Sequence, residues 1–222
     1  MLNELVSLET LELPIPAADP SMLETLLQPR LALFWGSSTP TRALLAALTV
    51  LAARGHKIRV FDGGNRFDGY FIARLARRLS SDPRSILERI KLSRAFTCFQ
   101  LAELIENTPG DGIHDRSVST RIDGFDPPHA TSESQSLLFV LDLLNTFYDE
   151  SVPLRDSERL LNNTIGHLKR LASQGSVIVG AREPRVLVKE RWTLLDQLQV
   201  AADVAWLLRS PDGPEEAQPR LF

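Results

Sequence analysis

The sequence is poor in cysteine, has no long hydrophobic run and carries no large excess of charge of one sign. Its 222 residues include one cysteine, Cys98, so no disulfide can form within the chain. No apolar stretch approaches the roughly 20 residues of a membrane-spanning helix. Residues 1–14 contain acids rather than a basic stretch before an apolar one, which predicts no signal peptide. We therefore expect a cytoplasmic protein with no membrane partner.

The charges nearly balance, with 25 lysines and arginines against 28 aspartates and glutamates, for a net charge of −3. This balance excludes a protein that grips nucleic acid with its whole surface, although it leaves room for a local basic patch. Hydrophobic residues make up 43% of the chain, which is enough for one sizeable core. We predict one α/β domain rather than two small ones.

Composition divides the chain into three parts. Residues 1–30 are a lead-in whose four prolines interrupt regular structure, apart from a short helix at 21–27. Residues 31–210 are the core, which contains an inserted flexible loop, rich in Gly, Pro, Asp and Ser, at 107–135. Residues 211–222 form a flexible polar tail.

Short apolar segments alternate with helical periodicity along the core. The predicted strands are 31–36, 57–64, 91–96, 136–142 and 176–181. The predicted helices between them are 41–55, 67–80, 97–106 and 157–175. The pattern of residues 185–192 and 195–210 predicts late strands near the sheet edge. The second segment could also be partly helical, and the pattern does not decide between the two. The alternation predicts a mainly parallel sheet with helices on both faces.

The turn between the first core strand and the first core helix matches a phosphate-binding loop in part. In the pattern G-x-x-x-x-G-K-[S/T], backbone N–H groups wrap the phosphates, the lysine reaches the β and γ phosphates, and the hydroxyl binds magnesium. Here Gly36 is the first glycine, but Thr41, Arg42 and Ala43 replace the second glycine, the lysine and the hydroxyl residue. The residues nearest to a degenerate nucleotide site are Gly36, Ser37, Ser38, Thr39, Thr41, Arg42 and, after a later strand, Asp142.

Four segments, in order, resemble the RecA/RadA family of strand-exchange recombinases. Residues 60–79 are similar to the unit that carries the catalytic glutamate, and 91–101 to the next unit, with its Arg-Ala-Phe run. Residues 136–150 are similar to the Walker B strand, which ends in an aspartate, and 157–184 to the helix and strand after it. The resemblance covers about residues 31–208. It implies a RecA-like fold with P-loop NTPase architecture.

The departures from the family pattern bear on activity. Gly64 matches the catalytic glutamate, so the group that would polarise the attacking water is absent. Without that glutamate, the lysine and the hydroxyl, little remains to stabilise the transition state. The guanidinium of Arg42 is longer and planar and does not replace a lysine, and Thr41 disfavours a positive φ. The resemblance therefore implies a degenerate Walker A motif and very weak or no ATP hydrolysis. Binding of ATP and magnesium stays open, and no resident metal site is predicted.

The DNA-binding loops of the recombinases follow the Walker B strand and the strand after it. The second of these connections holds Arg182, Arg185, Lys189 and Arg191, a set that suits contacts with phosphates. The alternative interpretation is that these four residues form a basic edge strand exposed to solvent. No helical amino-terminal domain or phenylalanine-based polymerisation peptide is recognisable, so we do not expect a self-assembling filament.

Residues 218–222, QPRLF, resemble the bacterial sliding-clamp-binding peptide. A flexible tail would place Leu221 and Phe222 in an apolar pocket while Gln218 hydrogen-bonds at its rim. The alternative is that the two apolar residues fold back on the core.

Together these resemblances imply a catalytically inactive RecA-like accessory protein in bacterial DNA repair, recombination or translesion DNA synthesis after DNA damage. The closest class is the degenerate RecA-like proteins encoded alongside error-prone polymerases. Its partners would be repair or replication proteins, with the sliding clamp as one candidate. Two alternatives stay open, an ATP-binding RecA-family ATPase with an unusual pocket and a single-stranded DNA-binding recombination mediator.

Overall fold

A computed structural model describes residues 3–4, 20–37, 40–109 and 137–208. Its strands are β1 (Asn3–Glu4), β2 (Arg30–Gly36), β3 (Ile58–Asp62), β4 (Ile90–Arg94), β5 (Leu137–Leu141), β6 (Ser176–Arg182) and β7 (Val204–Leu207). Its α-helices are α1 (Pro20–Leu26), α2 (Thr41–Ala53), α3 (Gly69–Leu79), α4 (Pro83–Glu88), α5 (Cys98–Glu106), α6 (Leu154–Ala172) and α7 (Trp192–Ala201). Short 3-10 helices cover Leu143–Asn145 and Val186–Arg191.

All strand pairs are parallel, in the order β1-β7-β2-β6-β5-β3-β4. Helices cover both faces, so the predicted RecA-like α/β class is confirmed. The next strand in the chain after β2 is β3, but the two are not neighbours in the sheet. Strands β5 and β6, which come later in the sequence, lie between them. The carboxyl ends of β2, β6, β5 and β3 therefore lie side by side, which is where open parallel sheets bind their ligands.

The apolar core has one layer on each face of the sheet. Helices α1 to α4 pack on one face and α5 to α7 on the other. Every residue of β5 is buried because its side chains alternate between the layers: Phe139 faces α1 to α4, whereas Leu138 and Val140 face α5 to α7. This explains why the strand reads as a continuous apolar run.

The prediction of a strand at 185–192 is wrong. In the described part of 195–210, strand structure covers Val204–Leu207, and the partial helix that the pattern left open is present as the end of α7. The chain forms the 3-10 helix and then α7, which packs against α6. The buried residues of α7 repeat at helical spacing and are Leu194, Leu195, Leu198 and Ala201. Strand β7 pairs with β2 on one side and with β1 on the other.

The short helix predicted at 21–27 is confirmed as α1. The predicted insertion at 107–135 lies outside the described residues except for 107–109, and so does the predicted tail at 211–222. Within the described ranges, no helix combines the length and the apolar character that crossing a membrane requires.

Candidate functional site at the carboxyl edge of the sheet

Gly36, the last residue of β2, is required by packing. A Cβ at this position would collide with the backbone carbonyl oxygen of Leu208, because the chain after β7 passes directly over the glycine. The side chain of Ser37 is exposed, and Ser38 and Thr39 lie outside the described residues. Gly36 matches the start of a phosphate-binding loop, but packing against Leu208 explains the need for glycine here without a bound phosphate.

Helix α2, which follows this turn, begins at Thr41 with no side-chain cap. The Thr41 hydroxyl is buried and has no hydrogen-bond partner among the described residues. The guanidinium of Arg42 lies over the ring of Phe71 in α3, with its central carbon 5.2 Å from the ring centroid. This is a cation–π geometry. The residue at the lysine position is therefore stabilised by a neighbouring helix.

Asp142, directly after β5, is the centre of the site. Its side chain is buried, and its backbone has φ 53° and ψ 49°, in the left-handed region. Its Oδ2 accepts a hydrogen bond from Nε of Arg182 at 2.9 Å and lies 2.9 Å from Nη2 of the same guanidinium. Nε of Arg66 is 3.8 Å from that oxygen. Within the described ranges, Oδ1 has no partner.

Burial raises the pKa of the Asp142 carboxyl, and the guanidiniums of Arg182 and Arg66 oppose that shift. Arg182 also donates to Oδ1 of Asn145 at 2.6 Å, and its backbone carbonyl accepts from the Tyr148 hydroxyl at 2.8 Å. These five residues form the Asp142 network. The network ties the turn after β5 to the end of β6.

Gly64, which matches the catalytic glutamate of the recombinases, lies against Asp142. A Cβ at Gly64 would be 2.5 Å from Oδ2 of Asp142 and 2.6 Å from its Cβ. Real Cβ atoms do not approach other atoms so closely, because packed interiors leave no such overlap. This position therefore has no carboxylate, and it also has no space for any side chain.

These residues do not fit magnesium–ATP held as in the recombinase pattern. The acid on the magnesium side, Asp142, is already paired with a cation of its own chain. Ala43 supplies no hydroxyl, and Arg42 is engaged with α3. Among the described residues, no group of three or more His, Cys, Asp or Glu side chains suits a metal ion.

No protein-family model matches the chain, and no curated protein matches it.

The four basic residues predicted to contact DNA do not form one exposed cluster. Arg182 belongs to the Asp142 network. Arg191 is 5% exposed and donates to two backbone carbonyls, at 2.6 Å each, and to the Ser157 hydroxyl at 3.1 Å. Arg185 and Lys189 are exposed. Two of the four therefore hold the fold together, which leaves two for contacts with a partner.

Sequence reasoning missed Arg66, whose place depends on the turn after β3. The buried carboxylate of Asp62 accepts from the backbone N–H of Arg66 at 2.9 Å and of Phe67 at 3.0 Å. These bonds close the turn and bring the Arg66 side chain to Asp142. The acid at the strand end was visible in the sequence, but no local pattern pointed to its backbone partners. The tail residues Gln218, Leu221 and Phe222 lie outside the described residues.

Proposed function

We propose that this protein is a RecA-like accessory protein that does not hydrolyse ATP and acts through partner proteins. The observation that carries the proposal is the buried Asp142–Arg182 ion pair, with Gly64 packed against it. In a hydrolysing site of this fold, positive charge at the acid comes from a magnesium ion. Here a guanidinium of the same chain supplies that charge, so the charge of the acid is compensated without a nucleotide.

The biological setting comes from the resemblance of residues 31–208 to the RecA/RadA recombinases. It favours bacterial DNA repair, recombination or translesion synthesis, with repair or replication proteins as the partners. The lysine, magnesium hydroxyl and glutamate are all replaced, and removing a single group that stabilises developing charge costs about 10²–10³ in rate. A domain that has lost all three retains the fold as a scaffold for contacts.

Calorimetric titration of the full chain with ATP and magnesium, and separately with ADP, is expected to give no binding heat at millimolar nucleotide. The reason is that Arg182 already pairs with Asp142 and Arg42 lies on Phe71. In an ATP turnover assay, the Asp142→Ala variant should show the same background rate as the unmodified protein. Micromolar binding, or turnover that Asp142→Ala abolishes, would instead establish the alternative of an ATPase with an unusual pocket.

The carboxyl-terminal peptide gives a separate test of the partner. Deleting Leu221 and Phe222 is expected to abolish association with a bacterial sliding clamp in a pull-down or surface-binding assay, since these side chains would fill the apolar pocket. The thermal unfolding midpoint should not change. Alanine at Pro219 and Arg220, two positions outside the motif, is the matched control and should leave association intact. Equal association of the truncated and complete chains would remove the clamp from the proposal.

A further inference from the structure

Helix α3 carries one aromatic and two basic side chains on its outer side. Tyr70, Arg74 and Arg77 follow one another at spacings of four and three residues, so they lie within about 60° of arc and span about 10 Å along the helix axis. All three are exposed, and Tyr70 is 85% exposed. The buried residues of α3 occupy the opposite side and are Ile72, Leu75 and Ala76. Tyr70, Arg74 and Arg77 together form the α3 stripe.

The positive charge of the α3 stripe is not neutralised within the described part of the chain. No acidic side chain there lies within ion-pair distance of Arg74 or Arg77. Residues 69–81 contain no aspartate or glutamate at all. The two acids that flank this segment have other roles, because Asp68 caps the start of α3 and Asp82 caps the start of α4. The stripe thus presents two cations to solvent.

Helix stability does not account for this arrangement. Arg77 lies in the last turn of α3, where a cation interacts favourably with the helix dipole, but Arg74 lies in the middle of the helix. Arg74 is also three residues before Arg77 and four before Arg78, and like charges at these spacings destabilise a helix. An acidic surface placed against the stripe would offset this repulsion, because it would supply the missing negative charge.

The shape and composition of the α3 stripe favour a protein partner over a nucleic acid. The stripe is the convex outer side of a single helix, whereas single-stranded nucleic acids are held in basic grooves. Tyrosine and arginine are enriched in protein interfaces and lysine is depleted, and both cations of the stripe are arginines. Spacings of four and three residues are also those of the seam between two packed helices. A guanidinium can pair with a carboxylate through two parallel hydrogen bonds.

We propose that the α3 stripe docks an acidic helix of a partner protein. Carboxylates spaced four and three residues apart on that helix pair with Arg74 and Arg77, and an apolar side chain beside them packs on the Tyr70 ring. The inference rests on the proposed function, because it names the chemistry of one partner. It uses neither the Asp142 network nor residues 218–222. Failure of acidic-helix binding would therefore remove this partner chemistry alone, whereas the nucleotide titration tests the proposed function separately.

Fluorescence anisotropy with the full chain and three labelled, alanine-rich helical peptides of about 20 residues tests this proposal. The striped glutamate peptide carries glutamates at spacings of four and three along one side. The scattered glutamate peptide has the same composition with its glutamates spread around the helix, and the striped lysine peptide has lysines in place of glutamates. The striped glutamate peptide should bind at low salt, with an affinity that falls as salt rises. The scattered one should bind about tenfold more weakly, since its carboxylates cannot meet both arginines at once.

The Arg74→Glu variant separates binding from stability. It places a carboxylate three residues before Arg77 and four before Arg78, which are favourable spacings, so the thermal unfolding midpoint should be equal or higher. Binding of the striped glutamate peptide should nevertheless fall at least about tenfold, because a like charge then faces its carboxylates. Tyr70→Ala should weaken binding about tenfold as well, since it removes the aromatic anchor.

Charge reversal adds a gain of binding to these losses. The Arg74→Glu/Arg77→Glu variant should lose the striped glutamate peptide and bind the striped lysine peptide, which the unmodified protein should not bind. Arg155→Glu/Arg159→Glu is the matched control. It changes the net charge by the same amount at two exposed arginines of α6, on the other face of the sheet. This control should bind the striped glutamate peptide like the unmodified protein.

Four results would overturn the proposal. The first is no binding of the striped glutamate peptide at low salt. The second is equal affinity for the striped and scattered glutamate peptides, which would reduce the interaction to net charge. The third is unchanged binding by the Arg74→Glu variant. The fourth is displacement of the bound peptide by a dT oligonucleotide at lower concentration than by unlabelled peptide, which would make α3 a surface for nucleic acid.

Discussion

Replacing Gly64 by alanine is expected to lower the free energy of unfolding by about 3 kcal/mol. The added Cβ would lie 2.5 Å from the Asp142 carboxylate, which is buried and held by Arg182, so it has no free direction in which to move. Urea unfolding followed by circular dichroism measures the change.

Gly166→Ala is the matched control for that measurement. Gly166 lies inside α6, and a Cβ there would meet nothing within 4 Å. Alanine should therefore stabilise the protein by up to about 1 kcal/mol through its higher helix propensity. If Gly64→Ala unfolds at the same urea concentration as the unmodified protein, the close contact with Asp142 does not exist. The same contact means that Gly64→Glu, which introduces the residue type of the recombinase pattern, is expected to disrupt the site rather than to produce ATP hydrolysis.

Replacing Arg182 by methionine is expected to cost about 3–5 kcal/mol near neutral pH, because it leaves the buried Asp142 carboxylate without its main partner. The double variant Asp142→Asn/Arg182→Met removes both charges and should recover a large part of that loss. Arg84→Met is the matched control, since its 2.8 Å ion pair with Glu88 is exposed and should contribute less than about 1 kcal/mol. Urea unfolding of the four proteins tests all three expectations.

The pH dependence of the Arg182→Met variant follows from the direction of the Asp142 shift. Burial raises the pKa of this carboxyl in the folded state. Stability gained from its protonation is therefore complete below the unfolded pKa and is lost as pH rises through the folded pKa. Removing the guanidinium raises the pKa further, so the deficit of the variant should shrink between neutral pH and about pH 5. A deficit that is constant over this range would show that lost packing, rather than unpaired charge, causes it.

Much of the fold was predictable because its signals are local. Strands β2, β3, β5 and β6 are short and mostly apolar, and Gly55 and the N-cap Asp68 mark the end of one helix and the start of the next. The pattern left most of α7 undecided between strand and helix because its apolar residues are dense enough to fit both periods. The spacing of Leu194, Leu198 and Ala201 was the signal for a helix. The packing of α7 against α6 is what selects the helix over the strand.

The candidate site was predictable in its residue types and not in its contacts. Asp142 was identified as the acid at the end of a strand, and Arg42 and Gly64 as replacements of family residues. Arg182 was assigned to DNA phosphates, whereas the structure pairs it with Asp142.

The sequence by itself determined the α/β class and the residues at positions 42, 43 and 64, which are not a lysine, a hydroxyl residue or a glutamate, because these depend on short-range pattern and on residue identity. Only the tertiary structure decided that Arg182 pairs with Asp142 and that Gly64 leaves no room for a side chain. The reason is that both contacts join residues far apart in the chain, and the order of parallel strands is what brings their carboxyl ends together.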